Sequence, residues 1–418
     1  MQSERRSTWT PLPTLTNTVK LFRQVFRGVF TALRSDPSVR AAGFAFFLSR
    51  AIVFFILIIA THVTLYNPPD NFGRSIQEIS IRLRRTSVQD NLRMLAQRGD
   101  GGWYIAIAQK GYEQSAFDNE RVHNWAFFPL FPLAIRMAAG LTGEYPLTAI
   151  ALSNIFLFIA LYVLHKTVLA FGYDQEIADR TVFYTSFFPA SYFFSLPWTT
   201  SLFLLTLTAS FWAAKREKWW WAGTFAGLAS ATHYSGIFVF PSILILYWQS
   251  TRPLKFRASA FGLLLAPAGL LAFMAYLYKV TGNAFAFADA QSAWRVRWGL
   301  FLRPLYAFLI SPFALAEGWN FRLLNFAAAT MALTCGFVLL KRREPALAFF
   351  TLISVIIPLS TLTLEAHARY VMVLFPVYIV LAIMGRSQIV DQVIRVIFIS
   401  LLSLLSAFFG FFFGPALI

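Results

Sequence analysis

The sequence predicts an all-α protein, a polytopic transmembrane helical bundle of about eleven spans. Three observations predict it. The chain has 418 residues, of which 57% are hydrophobic and only 13% charged, more apolar surface than a soluble core can enclose. Its apolar stretches, such as Ala41 to Val63 and Val371 to Met384, lack the period-two alternation of barrel strands. Clusters of lysine and arginine recur between those stretches, and the tendency of such clusters to stay cytoplasmic sets the parity of the crossings.

Residues 1–40 are read as a cytoplasmic basic segment. A secretory signal would place its apolar stretch within about the first 25 residues, so the first span is expected to be a retained anchor. Leu21, Phe22, Val25, Phe26, Val29, Phe30 and Leu33 recur at helical spacing with Lys20, Arg23, Arg27 and Arg34 opposite, the pattern of an interfacial amphipathic helix. Residues 41–418 then form a single membrane domain.

Basic clusters at Lys166 with Arg180, Lys215 to Lys218, Arg252 to Arg257, Lys341 to Arg343 and Arg386 with Arg395 each require a there-and-back pair between them. Three long apolar runs must therefore divide. The first divides at Pro197, the second near His233 to Gly236, and the third near Glu365 to Arg369, with each turn facing outward. Spans at about 41–63 and 147–169 leave an outer loop over about 64–146, and a second outer loop runs over about 281–319. A final span near 393–413 leaves the C-terminus outside. The first loop carries Arg74, Arg82, Arg84, Arg85, Arg93 and Arg98 against the charge rule, which long loops obey less strictly. The apolar, proline-broken stretch Trp125 to Pro132 suits a segment lying in the interface, as does Leu300 to Ala316.

The formal charge of +17 fits cytoplasmic loops and the anionic headgroups of membrane lipids. No soluble basic domain is present to bind nucleic acid, so none is expected as a partner. Cys335 is the only cysteine and lies in an apolar run, which rules out a disulfide, a redox pair or a thiolate metal site. No glycine-rich phosphate loop follows a strand, so soluble nucleotides have no evident cradle and no cofactor is expected.

Most polar oddities fall on the outer side of this layout, where polar groups need a wet cavity. Asp100 stands among Gly99, Gly101 and Gly102, free to approach a ligand or, alternatively, to N-cap the helix that follows. Arg295 and Arg297 lie beside Trp294 and Trp298, and Arg369 follows His367. Guanidinium groups bind phosphate by forked hydrogen bonds, although arginine and tryptophan also serve as interfacial anchors. His233 and His367 are read as helix-packing or donor groups, and no metal is expected.

With these residues in place, the chain resembles the PIG-V-like mannosyltransferases, integral-membrane glycosyltransferases of the GT-C class. The resemblance rests on Arg98-Gly99-Asp100, Trp103-Tyr104, Ile107-Ala108, Gly111-Tyr112 and Phe127-Phe128-Pro129-Leu130-Phe131-Pro132. It continues through Phe188-Pro189-Ala190-Ser191, Ser201-Leu202-Phe203, Tyr276-Leu277-Tyr278, Thr281-Gly282-Asn283, Gln291-Ser292-Ala293-Trp294, Arg369-Tyr370 and Phe375-Pro376. It implies transfer of mannose from a polyprenyl-phosphate sugar donor to a lipid or glycan acceptor hydroxyl, with inversion, on the extracytoplasmic face. By the same resemblance Asp100 is the general base, and Arg295, Arg297, Arg369 and His367 bind the donor phosphate. Trp103, Tyr104, His233, Gln291 and Trp294 bind substrate. The chain departs from the pattern at Gly99, where tryptophan is usual, at Thr200, where glutamate is common, and at His233, where arginine is common. The rival readings are a transporter or flippase of lipid-linked sugars and a non-catalytic membrane subunit. Alternating access favours internally related halves, and no repeat is visible here.

Overall fold

Some helix starts follow from local capping chemistry, at Asp36, Ser87 and Asp174. In the computed structural model, which describes residues 36–66, 80–83, 86–118, 121–251, 257–290, 298–312 and 322–411, Asp36 accepts from the Ser38 amide and Pro37 opens helix α1, Pro37–His62. The amphipathic helix expected at 20–34 lies outside these residues. After α1 the chain forms a short antiparallel ribbon, β1 (Val63–Tyr66) with β2 (Ser80–Leu83), in which Val63 faces Leu83. This ribbon is the one departure from helix among the described elements. Helices α2 (Val88–Ala96), α3 (Asp100–Lys110) and α4 (Leu130–Thr142) follow within the expected first outer loop, and α5 spans Tyr145–Ala170.

The three divided runs break where the sequence places them. Helix α6 (Gln175–Phe187) gives way to a 3₁₀ turn at Ser191–Ser195 before α7 (Thr200–Lys215). A second turn, Tyr234–Phe238, separates α8 (Trp219–Ser230) from α9 (Val239–Ser250). Next come a 3₁₀ segment at Ala258–Leu265, α10 (Ala268–Thr281), α11 (Ala286–Asp289), α12 (Arg303–Ile310) and α13 (Arg322–Lys341). The third break holds the short α15 (His367–Val371) between α14 (Pro345–Leu359) and α16 (Phe375–Met384), and α17 covers Gln388–Phe411.

Among the described residues, α1, α5, α13 and α17 are each long and apolar enough to cross a bilayer, with mean hydropathy from 2.0 to 2.4. Ala258–Leu265 and α10, meeting at 41°, qualify together as a bent fifth. The chain is an integral membrane protein. The expected count of about eleven would also need the shorter helices flanking the breaks, and each of these is below the roughly 20 residues that span hydrocarbon alone. Helix α4, of 13 residues, buries Phe131, Ile135 and Ala139 and exposes Leu133, Met137 and Leu141 on its other face. Being apolar on both faces suits a helix with protein on one side and lipid on the other.

Packing centres on α6 and α16, where Tyr184, Phe187, Phe375 and Tyr378 are fully buried. Helix α1 lies against α5, α6 and α17, with Ala42, Ala45, Val53 and Leu57 inward and Phe44, Phe47 and Phe55 outward. Helix α8 meets the bent pair along a glycine seam. A Cβ on Gly223 would stand 1.9 Å from the Gly262 carbonyl, and one on Gly269 would stand 2.0 Å from that of Gly227. Such close backbone approach is how helices associate where lipid supplies no hydrophobic drive.

Candidate functional site

The three breaks converge on the start of α3. Gly99 adopts φ 55, ψ −136, a conformation that only glycine takes without strain, and it offers no side-chain cap. Asp100 therefore occupies the first helical position rather than the cap, and its carboxylate accepts from Arg369 Nη1 at 3.0 Å. The following glycines serve packing and not ligand approach. A Cβ on Gly101 would lie 2.3 Å from the Ala96 carbonyl, so α3 can tuck beneath the end of α2 only without one.

Arg369 comes from α15, which begins after Ala366 in the left-handed conformation (φ 59). Its guanidinium carbon lies 4.5 Å from the Trp198 ring centroid and 5.5 Å from that of Tyr370. The ion pair is partly sheltered, with 15% of the Arg369 side chain and 23% of that of Asp100 exposed. Trp198 comes from the first break and is buried, packed on Phe193 at 4.6 Å, and its indole N–H has no hydrogen-bond partner among the described residues. The adjacent Thr199 is buried, and the Tyr104 ring packs edge-on against Phe127 and Phe131.

Burial pushes the Asp100 carboxyl above the usual carboxylate range, and the Arg369 charge only partly reverses that. Burial and the same guanidinium push His233 down to about 3, so its imidazole is neutral. Its Nδ1 faces Ser235 Oγ at 2.7 Å, and its ring packs against Phe203 and Tyr234. His367, pushed down to about 4 chiefly by burial, is also neutral. Its Nδ1 donates to the Glu365 carbonyl at 3.1 Å, and Nε2 is buried with no hydrogen-bond partner among the described residues.

Of the other expected site residues, Trp103 stacks on Phe127 at 5.5 Å, and Thr200 Oγ1 donates to the Phe193 carbonyl at 3.4 Å. Gln291, Trp294, Arg295 and Arg297 lie outside the described residues. Asp100, Tyr104, His233 and Arg369 are thus gathered around the first break. Among the described residues no three His, Cys, Asp or Glu side chains are grouped to hold a metal ion.

Sequence reasoning missed three features. Arg98 donates to the carbonyls of Phe409 and Gly410 at the end of α17, a favourable place for a cation, and so anchors the glycine turn before Asp100. His123 is buried between Glu113 (2.6 Å) and Asp118 (2.9 Å) and stacked on Trp125 at 4.0 Å. Arg50 sits inside α1, in a stretch read as simply apolar. A charge within a span is itself a signal of interior function.

No family model and no curated protein matches the chain. Among solved structures it is similar to the crystal structure of the Archaeoglobus fulgidus oligosaccharyltransferase tethered to an acceptor peptide, at 13% identity and a TM-score of 0.40. The match covers 86% of this chain and 55% of that one, so the chain spans about half the length of that enzyme.

Proposed function

We propose that the chain is a polyprenyl-phosphate-dependent glycosyltransferase, most closely a mannosyltransferase, acting on a lipid or glycan hydroxyl at the outer membrane face. The observation that carries this reading is the Asp100–Arg369 pair resting on Trp198 where the broken helices meet. It puts a carboxylate beside a forked cation in a partly desolvated place, and displacement of a phosphate at C1 requires both groups.

In that displacement the acceptor oxygen bonds to C1 as the C1–O bond to the polyprenyl phosphate breaks, the pair of electrons leaving with the phosphate. The acceptor proton passes to Asp100. Attacking and leaving oxygens lie on opposite faces of C1, so one guanidinium cannot hold both the base and the departing phosphate. Arg369 therefore leaves Asp100 for the donor phosphate, and the ion pair is the resting state of an unloaded site. Arg295 and Arg297 supply the remaining phosphate contacts from the second outer loop, and Trp103, Tyr104 and His233 line the sugar side. The exposed apolar face of α4 suits entry of the lipid chain from the bilayer.

The test is transfer of radiolabelled mannose from polyprenyl-phosphate mannose into membrane lipid or glycan, comparing the native chain with Asp100→Asn at matched expression. A loss of about a hundredfold or more is expected, the scale of removing a general base. Equal transfer by both proteins would reject Asp100 as the base, and absence of transfer by either would favour the transporter reading.

A further inference from the structure

Arg50 is 4% exposed near the middle of α1, and all five N–H groups of its guanidinium are engaged. Nη1 donates to the Ser191 carbonyl at 2.8 Å and Ser195 Oγ at 3.0 Å, while Nη2 donates to the Ser186 carbonyl at 2.9 Å and Ser191 Oγ at 3.1 Å. Nε donates to Ser49 Oγ at 3.2 Å. Every acceptor is neutral. No carboxylate meets this cation among the described residues.

The acceptors identify what the charge holds. Ser186 is in the last turn of α6, where carbonyls have no partner within the helix and the dipole is negative. Ser191 and Ser195 bound the 3₁₀ turn of the first break. From the opposite side Asn154 of α5 grips the same turn, donating to the Ser195 carbonyl at 3.2 Å and accepting from Ser195 Oγ at 3.0 Å. Two long spans thus clamp five residues of broken helix.

That clamped turn leads directly to the site. Phe193 lies within it and packs on Trp198, and the Arg369 guanidinium lies 4.5 Å from the Trp198 ring centroid and 5.9 Å from that of Phe193. The contacts run without a gap from Arg50 through Phe193 and Trp198 to Arg369, and from there to Asp100. We infer that Arg50 is a positioning residue: by fixing the Ser191–Ser195 turn it sets the aromatic platform on which Arg369 is held for the donor phosphate. A buried charge is costly in a span, and an apolar side chain would fill the same space more cheaply. What only a five-donor fork supplies is simultaneous hold on a helix end and a turn.

The kinetic part of this inference rests on the proposed transferase reading, and the placement part does not. The test therefore uses full-length protein in detergent micelles, with Arg50→Met and Arg50→Lys beside Asp100→Asn. Amide hydrogen exchange should rise in Arg50→Met within 188–201 and within 366–371, with α5 and α17 unchanged, and Arg50→Lys should restore part of the protection. In transfer assays Arg50→Met should raise the donor KM by about tenfold or more, the scale of a slightly misplaced binding group, while Asp100→Asn lowers kcat at nearly constant KM. Unchanged exchange in 188–201 overturns the inference, as does raised exchange there without a change in donor KM. Exchange raised throughout Arg50→Met shifts the decision to Arg50→Lys, where unrescued global opening counts against a local role. If the native chain transfers nothing, the transferase reading falls by itself. Exchange then decides the placement: coupled loss at 188–201 and 366–371 upholds it, and loss confined to 188–201 overturns it.

Discussion

Arg50 and Arg369 are both sheltered guanidinium groups, and their surroundings differ in every respect that bears on use. Arg50 meets neutral oxygens with all of its donors, on segments contributed by α1, α6 and the turn after it. Arg369 bonds one carboxylate oxygen among the described residues and lies against the Trp198 ring. A saturated cation has nothing left to offer a ligand, so its effect is on the shape of the chain. A cation held by one acid and an aromatic face keeps N–H groups for an incoming anion, and its acid partner is released when it turns away.

The comparison predicts opposite signatures. Replacing Arg369 by Met should cut transfer by roughly a hundred- to a thousandfold, as for loss of one electrostatic contact to a developing charge. The melting temperature should fall little, because Asp100 is 23% exposed and can take up a proton. Replacing Arg50 by Met should lower stability by roughly 2–4 kcal/mol, since it strands buried carbonyls and hydroxyls that lipid cannot satisfy. If Arg369→Met melts earlier than Arg50→Met, the division between shaping and binding cations is wrong.

A smaller effect concerns pH. Asp100 must be ionised to act as a base, so activity should fall as pH drops through its raised pKa, and the acid limb should lie above the usual carboxylate range. Arg369 lowers that pKa, so Arg369→Met should move the acid limb of kcat/KM, which reports the free enzyme, to higher pH. The acid limb of kcat should stay in place, since Arg369 has already left the base in the loaded site. A shift of both limbs would mean that the pair persists through the reaction.

The smallest effect belongs to a third charged cluster. Neutral imidazole has a single N–H, yet both His123 nitrogens face carboxylates, Glu113 and Asp118, the latter also paired with Arg121. Burial alone would disfavour the charged ring, but the two acids outweigh it and His123 titrates above its ordinary value. A raised pKa contributes stability fully below the unfolded value and loses it as pH rises through the folded one. Proteolysis of the segment around 111–126 should therefore quicken on the alkaline side, and His123→Gln should flatten that dependence. Equal cleavage rates across this range in the native chain would show the ring to be neutral.

The helix breaks were legible because they are local. Proline at 197 and the polar turns near 233 and 365 interrupt apolar runs that are too long for one crossing, and the chain breaks at each of them. What those breaks do together was not legible, because no spacing rule reports that Arg369 meets both Asp100 and Trp198 from elements far apart in sequence. The resemblance to a family supplied Asp100 and Arg369 without their contact. Asp100 also looked suited to capping, and only the backbone at Gly99 shows that the carboxylate is turned elsewhere. Arg50 had a visible signal, a charge inside a span, that a count of apolar residues averages away. Arg93, one of the basic residues against the charge rule, is paired with Asp90 and Glu144, contacts that no local pattern reports.

Cys335 is the chain's only cysteine and is 4% exposed. No disulfide within this chain can therefore fasten the elements around α2 and α3, and the fastenings described there, at His123, Arg93 and Arg98, are ionic or hydrogen-bonded. A change of redox potential leaves such contacts untouched, while salt and acidity reach them directly.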